Sequence, residues 1–419
     1  MGCRWADLPA DLKLSVTRKF SGFECLNIQT VVTVYNAFSK LDCRYRDLTT
    51  SSLRDALEKK SNFIRASAYD IKPHEVGVLV YSIARLGAEW NEISTEMQST
   101  IVAAIMKHSF RLNEQELGNV IWGLGHMKVD LSRMSPHFRE SLFKPVVKKS
   151  HELRAPALIA ILQGLGRGQM YWSKMHPELR AALMRASYYQ LRQHFDLNLA
   201  ITLVYALGRL SAEWTLLPVK LTDVLERIMN DDAMCEMASS RVSSLINGLA
   251  CMSVKLPSLN PRSKDNLLRA IDAKLLEFSR PEFSSVLWSL GRMGAKAGVS
   301  LKGALWKSML RRLKEFAGDM TAGELAWSLW ALGKIEGRLS DMDDDLQSTI
   351  LKATSRSMIG MTTRERGVTF WAMARLSIPI NELSMDDRNA IVRTIEELAM
   401  QSLHLRNIDR LNNTIEHSK

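Results

Sequence analysis

The sequence predicts an all-α chain, an α-α superhelix (solenoid) of about nine two-helix repeats with a period of 41–42 residues. Three observations carry that expectation. First, a stretch clearest as LVYALGRL, from Leu203 to Leu210, returns along the chain with its aromatic position at Tyr81, Trp122, Gln163, Tyr205, Asn247, Trp288, Trp330 and Trp371. Second, successive copies from Tyr81 onward stand 41 or 42 residues apart, and a fixed period of that size marks stacked helix pairs. A looser copy, VYNAFSKL, puts Asn36 at the same position. Third, hydrophobic residues make up 46% of the 419 and charged residues 24%, so apolar surface is ample for a stacked core and no tract has a disordered composition.

Taken in order, residues 1–24 read as an N-terminal capping helical segment, with Leu8, Leu12, Leu14, Val16 and Phe20 supplying apolar surface. Residues 25–403 hold the repeats, and 404–419 read as a C-terminal cap or tail. Within a repeat, the first helix carries the signature and a second follows a short loop, as in the segments 135–150 and 260–279. Asn113 with Glu116, Thr321 with Glu324 and Thr362 with Glu365 have the spacing of a capping box, which satisfies two orphan amides at once. Ser135-Pro136 and Asn260-Pro261 open second helices, while Pro156 and Pro281 fit the first turn of signature helices. Nine residues after the aromatic position comes a bulky residue, at Trp90, Leu131, Trp172, Trp214, Leu256, Leu339 and Ile380, read as a plug between the two helices of a repeat. The last second helix is expected at 384–403.

Stepping 100° per residue from the aromatic position divides the signature helix into faces. Two residues on lies an apolar column running from Phe38 through Leu124 and Leu207 to Met373, which is the core face. The columns one and three residues on are small throughout, with Gly at 123, 125, 164, 166, 208, 248, 291 and 333. Gly in a helix interior costs ~1 kcal/mol relative to Ala, so its recurrence on two flanks predicts close approach of a neighbouring helix on each side.

The remaining face is basic. Four residues after the aromatic column come Lys40, Arg85, His126, Arg167, Arg209, Cys251, Arg292, Lys334 and Arg375, seven of them Lys or Arg. Composition alone would place about one there. A cation four residues beyond a ring suits cation–π contact, and the helix dipole also favours it in a last turn. The candidate RNA-binding residues are therefore Lys40, Tyr81, Arg85, Trp122, His126, Arg167, Tyr205, Arg209, Trp288, Arg292, Trp330, Lys334, Trp371 and Arg375, with cations meeting phosphates and exposed ring surface stacking bases. Earlier turns of the same face carry variable columns, among them Asn119, Ala160, Trp327 and Val368, and Gln115, Pro156 and Arg364. Such variation fits either base reading or solvent-facing drift.

The excess of 56 Lys and Arg over 45 Asp and Glu gives a net charge of +11, which favours an anionic partner. Cys3, Cys25, Cys43, Cys235 and Cys251 form no CxxC pair and the nine histidines are scattered, so no metal, cofactor or disulfide framework is expected. No apolar run reaches the ~18–20 residues of a membrane span. Acid/base pairs, nucleophile constellations and phosphate loops do not recur, so the chain reads as non-enzymatic.

The stretches LVYALGRL, VLWSLGRM, SLWALGKI and VTFWAMARL resemble the signature of octotricopeptide and heptatricopeptide repeats, relatives of the arrays that precede RAP domains and of the FAST-kinase-like proteins. The resemblance covers about residues 28–403. It implies an α-α superhelix in the mitochondrial matrix or in plastids that binds RNA, whether mitochondrial mRNA, guide RNA or rRNA, as a subunit of an RNA-processing, editing or mitoribosomal complex with other protein subunits. The chain departs from the pattern at Gln163 and Asn247, which lack the aromatic, and no RAP-like α/β segment follows residue 403. The alternative is an ARM/HEAT-like scaffold that grips protein with little RNA contact.

Overall fold

A computed structural model describes residues 4–21, 28–48, 71–193, 196–336, 342, 344–358, 360–378 and scattered positions between 385 and 400. Among these residues the fold is all-α, with one isolated bridge between Ala297 and Leu301 and no strand. The plug positions Leu339 and Ile380, the segment 404–419 and most of 384–403 lie outside the described residues.

The chain divides into two compact units, Met1–Leu225 and Glu226–Lys419. The first holds α1 (Ala10–Ser21), α2 (Ile28–Lys40), α3 (Pro73–Arg85), α4 (Thr95–His108), α5 (Glu114–His126), α6 (Pro136–Lys148), α7 (Ala155–Arg167), α8 (Pro177–Gln193) and α9 (Leu197–Arg209). Helix α10 (Val219–Met229) contains the division. The second unit holds α11 (Ser239–Cys251), α12 (Pro261–Lys274), α13 (Arg280–Arg292), α14 (Gly303–Ala317), α15 (Ala322–Ile335), α16 (Asp344–Met358) and α17 (Thr363–Arg375). In the first unit α2, α3, α5, α7 and α9 pack in succession as one layer, and α4, α6 and α8 as another. In the second unit α11, α13, α15 and α17 form the one layer, and α14 packs on α16.

Close packing within the signature layer follows from the small columns. A Cβ on Gly164 would meet the Ile121 carbonyl oxygen at 2.3 Å, one on Gly125 the Gly164 carbonyl oxygen at 2.2 Å, and one on Gly123 the Val80 carbonyl oxygen at 2.8 Å. In the second unit a Cβ on Gly291 would meet the Ala331 Cα at 3.0 Å. The column two residues past the aromatic, Phe38 to Met373, is buried in every copy.

The helix starts carry the capping chemistry read from the sequence. Asn113, Thr321 and Thr362 accept from the amides of Glu116, Glu324 and Glu365, whose carboxylates reach back to the cap amides. Ser135 and Asn260 accept from Phe138 and Ser263, with Pro following each. At α3 and α13 the carboxylates of Glu75 and Glu282 likewise accept from the amides of Lys72 and Ser279, each at 2.8 Å.

The plug column fastens repeats together as well as filling them. The Trp90 amide donates to the Met127 carbonyl at 2.8 Å, Leu131 to Gly168 at 2.9 Å, Trp172 to Leu210 at 2.8 Å and Leu256 to Met293 at 2.8 Å. Each bond joins the loop of one repeat to the end of the next signature helix. Tyr45 makes the same bond to Leu86 at 2.7 Å, and Trp5 to Leu41 at 2.6 Å, so both belong to a column that the sequence reading began at Trp90. Leu131, Trp172 and Leu256 are buried, while Trp90 and Trp214 are half-buried.

Every signature helix ends in the same left-handed residue, six positions after the aromatic: Asp42, Gly87, Lys128, Gln169, Ser211, Ser253, Gly294, Glu336 and Ser377, with φ between 54° and 77°. The bonds that follow, such as Ser253 to Ala250 at 3.1 Å and Val254 to Leu249 at 3.1 Å, are those of a Schellman cap. This reversal turns the chain from the signature helix toward the plug.

Candidate functional site

The face opposite the second helices is built by the aromatic column and the cation one turn later. Each aromatic-column residue from Asn36 to Trp330 is half-buried, and Trp371 is 38% exposed. Lys40, Arg85, Arg167, Arg209, Arg292, Lys334 and Arg375 are all exposed. This division follows from the helix: the Trp371 ring, for one, lies against Gly333 of the neighbouring helix, while 40° further round the longer cation is exposed.

In the first unit the structure brings Tyr81, Trp122 and His126 together. The Tyr81 and Trp122 rings lie 4.9 Å apart at 36°, and the His126 imidazole stacks on Trp122 at 3.5 Å and 26°. His126 Nδ1 is 2.9 Å from the Trp122 carbonyl oxygen. Burial, supplemented by the Arg167 charge, holds the His126 pKa below its ordinary value against the opposing hydrogen bond. His126 is thus a neutral ring that thickens the stack at neutral pH; it does not supply a cation there. Below this stack, Gln115, Asn119 and Gln163 line an open recess of ≈ 400 Å³ with Tyr81 and Trp122, and Gln115 Nε2 donates to Asn119 Oδ1 at 3.1 Å. Gln163, in the aromatic column, separates Trp122 from Tyr205, which has no ring contact among the described residues.

In the second unit the rings form a run. Trp288 and Trp330 have centroids 6.5 Å apart at 32°, and Trp330 and Trp371 6.5 Å apart at 39°. The i to i+4 cation–π pairing occurs at Arg292, 5.4 Å over Trp288, and at Lys334, 5.7 Å over Trp330 and 5.0 Å over Trp371. Trp327 stands edge-on to Trp330 at 6.3 Å, with Arg364 at 5.3 Å over its ring. The sequence places Trp327 and Arg364 on this face without singling them out. Their signal is their position three and seven residues before an aromatic. The copy at Asn247 is polar instead: Asn247 Nδ2 donates to Ser285 Oγ at 3.0 Å.

The cations differ in what holds them. Arg375 Nη2 lies 3.8 Å from Glu336 Oε1, a carboxylate that Lys296 also engages. Arg292 Nε donates to the Ala250 carbonyl at 2.8 Å. No carboxylate among the described residues pairs with Lys40, Arg85, Arg167, Arg209, Arg292 or Lys334. Cations on other faces do pair, as Arg46 with Glu92 at 3.0 Å, Arg280 with Glu324 at 2.9 Å and Lys314 with Asp345 at 2.7 Å. On the second helices Lys144 likewise pairs with Glu140 and Arg312 with Glu315.

Among the described residues no group of His, Cys, Asp or Glu is arranged to hold a metal ion, and no helix is long and apolar enough to cross a membrane. Burial first, and then the Asp47 carboxylate, push the Cys43 thiol up to about 12, which leaves it protonated.

No protein-family profile matches the chain, and no curated protein matches it. Among solved structures it is similar to an engineered protein determined by the Northeast Structural Genomics Consortium, at 11% identity over 88% of this chain and 99% of that one. The TM-score of that pair is 0.22, a likeness that bears on neither fold nor function.

Proposed function

We propose that the chain is a non-enzymatic RNA-binding protein built as an α-α superhelix of about nine repeats. The unbroken spacing supports the superhelix, since Tyr205 and Asn247 on either side of the division are 42 residues apart, the same step as elsewhere. A row of exposed cations without carboxylate partners, set beside half-buried rings, carries the RNA reading. Unpaired Arg and Lys on one face attract a phosphate backbone, and aromatic edges beside them stack unpaired bases with little regard to sequence. The resemblance of the repeat signature supports a role as a subunit of a mitochondrial RNA-processing, editing or ribosomal complex.

The test is fluorescence anisotropy with single-stranded RNA, comparing the wild type with the combined Arg85→Glu, Arg167→Glu and Arg209→Glu variant. Those three side chains hold no ion pair, so the fold is expected to persist by circular dichroism. Affinity should drop by roughly tenfold or more for three reversed charges. Equal binding by a folded triple variant contradicts the proposal.

A further inference from the structure

We propose that the gap between Trp330 and Trp371 is a slot for one unpaired purine base of a bound RNA strand, with Lys334 and Arg364 meeting its flanking phosphates. This rests on the RNA-binding reading and narrows base insertion to a single recess.

The spacing of the rings is the first argument. Direct aromatic pairs have centroids ~4.5–7 Å apart, and a base held between two rings needs two stacking distances of ~3.4 Å. Tyr81 and Trp122, at 4.9 Å, are already in mutual contact, and His126 stacks on Trp122 at 3.5 Å. Nothing can enter that stack without dismantling it. Trp330 and Trp371, at 6.5 Å and 39°, stand near the outer end of the direct-contact range, so a turn of one ring makes room for a base between them. Trp371 is 38% exposed and Trp330 half-buried, so Trp371 is the more accessible ring of the pair.

The second argument is the space. An open recess of ≈ 830 Å³ lies at this gap, lined by both indoles, Lys334, Arg364, Gly367 and Val368 together with two threonines. Gly367 presents no side chain to obstruct an entering ring. Lys334 Nζ lies over both indoles, at 5.7 and 5.0 Å, and Arg364 lies 5.3 Å over Trp327, which is edge-on to Trp330. Both cations are exposed and neither has a carboxylate partner. Glu365, next to the recess, is committed to the capping box with Thr362.

The third argument is chemical class. Two positive charges at the mouth repel a cationic ligand, such as a quaternary ammonium, and attract a phosphate on either side of the base. Two bicyclic indoles offer most overlap to a bicyclic base, and stacking strength is what discriminates bases where no edge is read. No amide or carboxylate lines the recess to read that edge, in contrast to Gln115 and Asn119 in the first unit.

The experiment uses the full chain. Intrinsic tryptophan emission is followed during titration with adenosine 5′-monophosphate and with uridine 5′-monophosphate, and anisotropy is measured with a short labelled oligoadenylate. Adenosine monophosphate should quench more than the uridine compound. Trp371→Ala should lose most of the quenching and about tenfold or more in oligoadenylate affinity, while Trp371→Phe stays within about threefold of wild type. Should Trp371→Ala fold poorly, the combined Lys334→Gln and Arg364→Gln variant, altered only at exposed positions, should show a comparable loss of affinity. Oligoadenylate affinity within about twofold of wild type in a folded Trp371→Ala protein overturns the slot. If that result accompanies lost binding in the Arg85, Arg167 and Arg209 charge reversal, the slot falls and the RNA reading stands; if neither variant loses binding, both fall.

Discussion

Arg292 reaches back across the repeat boundary to Ala250, donating from Nε to its carbonyl at 2.8 Å while the guanidinium lies 5.4 Å over Trp288. The Ala250 carbonyl, near the end of α11, already accepts from the Ser253 amide at 3.1 Å, and Arg292 adds a second donor to it. One cation of the basic face therefore reinforces a helix end and holds α13 to α11. The dipole explanation and the ligand explanation meet in a single side chain.

That double role separates Arg292 from Arg209, whose side chain has no such bond. Arg292→Ala should cost about 1 kcal/mol of stability, the worth of a partly exposed charge-assisted hydrogen bond and a cation–π contact. Arg209→Ala should stay within about 0.5 kcal/mol of wild type. Urea denaturation of the two variants checks this, and equal losses count against a structural role for Arg292.

The glycines of the signature layer should divide by what surrounds them. A Cβ at Gly164 falls 2.3 Å from the Ile121 carbonyl oxygen and 2.7 Å from the Trp122 amide nitrogen, both backbone atoms that cannot yield alone. Gly164→Ala should sit at or beyond the upper end of the ~1–3 kcal/mol range for overpacking, despite the better helix propensity of Ala. Gly318, with φ −61° and nothing within 4 Å of a built Cβ, should accept Ala with a gain of about 0.4–1 kcal/mol. Thermal melts of the pair decide the matter, since a mild Gly164→Ala would refute the close approach of α5 and α7.

Ser253 caps α11 with φ 62°, where a side chain is strained by ~1–2 kcal/mol and glycine is not. Ser253 is exposed, so Ser253→Gly should stabilise the protein by about 0.5–1 kcal/mol. A rise in the urea midpoint is the expected result, and no change or a fall speaks against the left-handed cap.

His126 gives stability a pH dependence of defined sign. Its folded pKa is depressed by burial below the unfolded value, so the unfolded chain takes up a proton that the folded chain resists. The stabilisation is complete above the ordinary histidine range and is lost as pH falls through it. Between pH 7.5 and 5.5 the wild type should therefore lose more stability than His126→Gln. Identical pH profiles would place the charged imidazole in the folded stack.

The period, the core face, the small flanks and the caps at Asn113, Thr321 and Thr362 were legible because each is set by spacing within one helix. The left-handed cap was not. Only Gly87 and Gly294 show the residue that normally marks it; at Asp42, Lys128, Gln169 and Ser253 a side chain takes that conformation and the plug that follows is pinned by its bond to the next repeat. Of the site, the i to i+4 pairing at Trp288 and Trp330 was readable from helical geometry. The difference between a close Tyr81–Trp122 pair and a wider Trp330–Trp371 pair depends on how neighbouring helices are offset, and no single-helix pattern encodes that. The neutral state of His126 likewise comes from desolvation against Trp122, a contact its position in a basic column conceals.

The measurement that bears most directly on the unpaired basic face is the salt dependence of binding to single-stranded RNA. Each cation that neutralises a phosphate contributes about −0.7 to the slope of log affinity against log salt, so six engaged side chains predict a slope near −4. Replacing Arg85, Arg167 and Arg209 by Gln together should make that slope shallower by about 2, with the fold intact. A wild-type slope near zero, or one that the triple Gln variant leaves unchanged, would contradict phosphate recognition by this face.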